Sequence, residues 1–196
     1  MTHQVLRLVL FVCLIQWLVS CSTLSSIARA QESASPESQS QLTQRALKKH
    51  EFLMERMTGD WVMQGTIDTE QVTNDVYVDL ILKRQYVRIH QISREKDASG
   101  EPTYEAWIHI AWDQANEEYV VMWLDNTGVT NFSADGVGHG KPDGDQIPFI
   151  WKLADGNGIY NTFAYERGSD TWSWKIDNLD TSGKSSPFAR LTLKRK

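Results

Sequence analysis

His90 and His109 lie in stretches where Asp79 and Glu105 supply carboxylates, and a histidine beside a carboxylate is a pairing that moves protons near neutral pH. Two such pairs can be drawn, Glu105 with His109 and Asp79 with His90. Beyond residue 30 the histidines are His50, His90, His109 and His139. They fall on separate stretches, without the i, i+2 or i, i+4 spacing of a preformed metal clamp, so no metal is expected. The chain has no Gly-x-Ser-x-Gly, no glycine-rich phosphate loop after a strand and no Cys/His quartet. Asp143-Gly144-Asp145 has a calcium-like start but lacks the rest of a loop of about 12 residues, and reads as a turn. The balance leans away from catalysis. An isomerase or hydrolase working with histidine and carboxylate is kept as one alternative.

Tryptophan is the other chemistry-bearing residue. Outside Trp17 the chain carries Trp61, Trp107, Trp112, Trp123, Trp151, Trp172 and Trp174. Each ring either fills a core or lines a pocket. Trp151, Trp172 and Trp174 sit on consecutive late strands and are the wall residues this reading selects for ligand binding. Arg88, His90 and His109 join them as polar anchors if strand phase turns them inward, which the sequence leaves open for 86–94 and 104–112.

The elements that must position these residues start with an N-terminal segment of another kind. Arg7, then the apolar run Leu8 to Val19, then small residues, read as a secretory signal over residues 1–30. Leu18-Val19-Ser20-Cys21 resembles a bacterial lipoprotein box, with Cys21 lipidated. Ala28-Arg29-Ala30 offers an ordinary cleavage site instead. Both readings send the protein to the periplasmic side, as a membrane-anchored lipoprotein or as a soluble or secreted form. Cys13 is lost either way, so the exported domain must fold without disulfides. Removing Arg7 and Arg29 leaves 18 basic against 25 acidic residues, a net charge of −7. That charge disfavours nucleic acid as a partner.

Residues 31–42, rich in Ser, Gln and Glu, read as a disordered tether. From 43 to 58 the apolar residues Ala46, Leu47, Leu53, Met54 and Met57 recur at helical spacing, with Thr43 as cap and Gly59 as exit. From residue 59 to 196 the texture is that of strands, with turn residues every dozen positions or so. The expected strands are 61–67, 76–83, 86–94, 104–112, 118–125, 131–139, 147–154, 159–167, 171–177 and 188–195. The fold class is therefore all-β: an up-and-down antiparallel barrel of about ten strands behind one short amphipathic plug helix. A two-sheet sandwich is the alternative. Trp172, Trp174 and Ile176 share one face, as do Ala189, Leu191 and Leu193, and these faces should point inward. Strand 118–125 is apolar on both faces, so its outer side is a candidate surface for a homodimer.

In this phase Trp61 and Arg195 both point inward on strands that become neighbours if the barrel closes, so the guanidinium should lie over the indole and seal the floor. Gly59-Asp60-Trp61 after a short helix, matched by a terminal-strand arginine, resembles the lipocalins and their calycin relatives. His50 to Trp61, Arg84 to Gln91 and "AWDQANEEYVVMWLDNTG" from Ala111 to Gly128 resemble a bacterial family of unknown function with a lipocalin-like or nitrobindin-like barrel. The resemblance covers about His50 to Arg195 and implies a cavity for an apolar molecule. Nitrobindin-type barrels hold haem through a late-strand histidine. Here Phe188-Ala189-Arg190-Leu191 stand there with no histidine after His139, so no cofactor is expected. Fatty-acid-binding relatives use an Arg-x-Tyr pair on the last strand, from which Arg190-Leu191-Thr192 departs. The functional expectation is an exported barrel that binds a small apolar or amphipathic molecule non-covalently. A filled barrel acting as a structural or interaction protein through strand 118–125 is the rival.

Overall fold

The computed structural model describes Leu53, residues 56–128 and residues 134–196. The expected signal with Cys21, the tether, His50 and most of the plug helix lie outside these residues. Ten antiparallel strands run in chain order: β1 (Gly59–Ile67), β2 (Glu70–Ile81), β3 (Tyr86–Ser93), β4 (Glu105–Asp113), β5 (Glu118–Asp125), β6 (Val137–Gly140), β7 (Gln146–Lys152), β8 (Gly158–Glu166), β9 (Thr171–Leu179) and β10 (Ser185–Arg195). Each pairs with its sequence neighbours, and β1 pairs with β10, so the sheet closes on itself. The sandwich alternative is excluded by that last pairing, which leaves no free edge.

Alternation of apolar and polar residues sets the inward face. Trp61 and Met63, Val76 and Val78, Val87 and Ile89, Ile108 and Ile110, Phe149 and Trp151, Trp172 and Trp174, and Leu191 and Leu193 are all buried, two residues apart on their strands. The largest discrepancy with the sequence reading is at β2, which begins at Glu70 rather than near residue 76. Thr73-Asn74-Asp75 reads as loop because polar residues dominate it. It is strand, with Asn74 turned inward and buried. The expected strand 131–139 falls partly outside the described residues, and its described part begins at Val137.

One end of the barrel, here the lower, carries the β2–β3, β4–β5, β6–β7 and β8–β9 connections, and the chain enters and leaves it there. Leu53 and Met57, both helical, add their side chains to the barrel core at this end. Trp61 donates its indole N–H to the Met57 carbonyl at 2.9 Å. Trp61 and Arg195 are register partners, and the guanidinium carbon sits 4.2 Å from the indole centroid. Arg195 also donates to the carbonyls of Thr58 at 3.0 Å and Arg56 at 3.1 Å, and its Nε reaches Asp170 at 2.6 Å. Gly59 adopts φ +125°, and a Cβ there would stand 2.7 Å from Arg195 Nη1. Glycine thus solves two problems at once, the left-handed backbone and the space claimed by the guanidinium. That is the physical content of the Gly-x-Trp pattern.

Candidate functional site

The upper end differs from the sealed floor. Of the eight half-buried apolar residues that pack on the core, Ile67, Val72, Tyr104, Trp123, Ile159 and Ile176 lie toward the upper end and Leu80 and Trp112 toward the lower. Beneath them, inward side chains divide into an aromatic wall and a small, polar one. On β5, β7, β8 and β9 the rings interlock: Trp123 lies 5.3 Å from Trp174 and 6.4 Å from Trp151, and Trp174 lies 4.3 Å from Phe163. Phe149 touches both Trp151, at 6.0 Å, and Phe163, at 5.9 Å. The offset and tilted geometries are those that ring quadrupoles favour. Trp151 has this place because β6 is glycine on its inner face: a Cβ at Gly138 would come within 2.5 Å of the indole.

The opposite wall, on β2, β3 and β4, carries Asn74, Gln91, Ser93 and Ala106, all buried. Asn74 pairs in register with Ser93, and Gln91 with Ala106. Polar contacts link neighbouring elements, one buried and two part-buried. Trp174 Nε1 donates to Asn161 Oδ1 at 2.5 Å, Trp123 Nε1 donates to the Tyr104 hydroxyl at 3.1 Å, and that hydroxyl donates to Asp125 Oδ2 at 3.3 Å. Burial, together with the Asp125 carboxylate, pushes the Tyr104 hydroxyl well above the usual tyrosine range, so it is a neutral donor at any physiological pH. Gln91 is 2% exposed and its Oε1 has no hydrogen-bond partner.

Of the sequence-selected wall residues, Trp151 and Trp174 belong to this cluster. Trp172 is fully buried nearer the floor, 5.2 Å from Tyr165. The phase that the sequence left open at 86–94 and 104–112, on which an inward Arg88, His90 or His109 depended, is set by burial. Val87, Ile89 and Gln91 on β3 and Ala106, Ile108 and Ile110 on β4 take the inner face, which puts Arg88, His90 and His109 on the outer one. The two imagined acid/base pairs are re-sorted as well. His90 Nε2 meets Glu105 at 2.6 Å and stacks on Trp107 at 3.7 Å, while Arg88 is paired with Asp79 at 2.6 Å. These are cross-strand contacts on the outer wall. His139 meets Glu118 at 2.8 Å. Among the described residues no group of three His, Cys, Asp or Glu is placed to hold a metal ion. Arg190, on β10, lies on the outside with Asp177 and the carbonyl of Ile176.

Trp123, Tyr104, Asn161, Gln91 and Asn74 were not selected from the sequence. A usable signal existed for Gln91, which stands in the apolar phase Val87, Ile89, Gln91 of an alternating strand. For Asn161 and Tyr104 no local signal distinguishes them. The fold and site define the class as a closed ten-stranded up-and-down barrel with an aromatic cluster inside. Beyond that class, the chain matches no protein-family model and no curated protein.

Proposed function

We propose that this barrel binds a small amphipathic molecule through its upper end, non-covalently and without changing it. The observation that carries the reading is the half-buried Trp123 at the upper end, in ring contact with Trp151 and Trp174, while the lower end is plugged and latched. An apolar body fits an aromatic wall, and the few polar groups that share the upper end with it fix its orientation, the usual composition of a small-molecule site. The calycin-like reading belongs to the same proposal, supported by the Gly59-Asp60-Trp61 floor and its Arg195 lid. So does the address: an exported protein, tethered through a lipidated Cys21.

Tryptophan emission titrated with a panel of apolar and amphipathic small molecules tests the binding reading. Saturable change with at least one of them is the expected outcome; a flat response to all supports a filled, structural barrel. Membrane partitioning of the full chain tests the tether, which a Cys21→Ser variant should abolish.

A second reading has its own observation. On β5 the outer residues Val120, Met122 and Leu124 are apolar and only half-buried, which suits a second copy of the chain packing there. Concentration-dependent sedimentation, with a Met122→Glu variant that stays monomeric, is the check.

A further inference from the structure

Resting on the binding reading above, we infer that the molecule held in the upper lumen is uncharged and donates a hydrogen bond to Gln91 Oε1, making Gln91 the specificity-determining residue. Gln91 shares the inner face of β3 with Val87 and Ile89, where an aliphatic side chain would pack without penalty. Its carbonyl oxygen is instead buried and unpartnered. A buried acceptor without a donor is among the more unfavourable features an interior can hold, and native proteins seldom keep one unless something supplies the donor.

Charge narrows the class further. Among the described inward-facing strand residues the one cation is Arg195, at the floor, committed to the Trp61 ring, Asp170 and two backbone carbonyls. The polar groups of the upper lumen are amides and hydroxyls, from Asn74, Gln91, Ser93, Asn161 and Tyr104. Asp125, at the upper end of β5, adds a negative charge there. A carboxylate or phosphate would find no counter-charge and would have to shed its water unpaired. A primary amide or an alcohol on an apolar body meets every requirement: its N–H or O–H faces Gln91, and its body faces the indoles of Trp123, Trp151 and Trp174.

The experiment uses the full chain with four probes that share one alkyl chain: decanamide, decan-1-ol, methyl decanoate and, above neutral pH, decanoate. Wild type should bind the amide and the alcohol saturably and the ester about tenfold more weakly, the size expected for one hydrogen bond. Decanoate should be weaker still. Gln91→Met keeps the volume and removes the acceptor. It should pull the amide down to the affinity of the ester, leave the ester within about twofold, and melt no lower than wild type because the unpartnered oxygen is gone. Gln91→Leu serves as the second variant and should behave alike. Saturable binding with amide and ester equal in wild type, or an amide preference that survives in both variants, overturns this inference and leaves the binding reading standing. Decanoate bound as tightly as decanamide overturns it too. No saturable change with any probe overturns both.

Discussion

Replacing Gly59 by alanine should cost far more than an ordinary surface substitution, and most of the excess should vanish when Arg195 is also removed. The backbone there has φ +125°, and an L-residue forced into so sparsely populated a region costs about 1 to 3 kcal/mol. The new methyl group would also stand 2.7 Å from Arg195 Nη1, so the guanidinium must leave its seat. Its seat is a cation–π contact at 4.2 Å and charge-assisted bonds to two backbone carbonyls. The side chain is 40% exposed, so solvent screening puts the loss near the lower end of the range for such contacts, about 1 to 2 kcal/mol. The single variant is thus expected to lose about 3 kcal/mol in all. In an Arg195→Ala background only the backbone strain remains, and the two substitutions should couple by about 1 to 2 kcal/mol. Urea denaturation followed by tryptophan emission on the four proteins of the cycle reads this directly. If the two losses add to within about 0.5 kcal/mol, glycine is not there to make room for the arginine, and the account of the floor is wrong.

Three further outcomes follow from the same geometry. Asp75 is bonded by Arg94 at 2.7 Å and by Lys196 at 2.9 Å. Arg94 chiefly, with Lys196, holds its carboxyl down at about 2, against a desolvation that acts the other way. A carboxyl depressed in the folded state stabilises above its unfolded value and loses that contribution as pH falls through the folded one. Stability should therefore drop between about pH 4 and pH 2, with an Asp75→Asn variant showing a flatter acid limb in pH-dependent denaturation. Gly138→Ala should destabilise by about 1 to 3 kcal/mol and alter the emission spectrum, because its methyl group would collide with the Trp151 indole. His90→Ala should leave binding of decanamide within about twofold of wild type, since His90 stacks on Trp107 outside the barrel; a larger loss would place the site on the outer wall.

Much of the barrel was legible in the residues because its rules are local. Trp172, Trp174 and Ile176 alternate with Ser173 and Lys175, and turn residues such as Asp97-Ala98-Ser99-Gly100 interrupt the strands where the Asp97 carboxylate caps its own loop. Phase stayed open on β3 and β4 for a physical reason. Arg88, His90, Trp107 and His109 are amphipathic enough for either face, and the choice was made by neighbours: Val78 beside Ile89, and Ile108 beside Trp123. The start of β2 was missed because a strand that buries Asn74 does not look like a strand. The polar wall escaped notice for the same reason, since Asn74, Gln91 and Asn161 acquire meaning only when closure brings distant strands to one lumen. Asn161 bonds Trp174 across a neighbouring strand, and Tyr104 meets Trp123 and Asp125 from a loop.

Indole N–H resonances of the nitrogen-labelled domain, followed while decanamide is added, test the central claim most directly, because each tryptophan reports a different depth. The account predicts that Trp123 and Trp174 shift saturably while Trp61, bonded to the Met57 carbonyl at the floor, stays in place. Movement of Trp61 with Trp123 and Trp174 unmoved, or no movement of any indole, would contradict a binding site in the upper lumen.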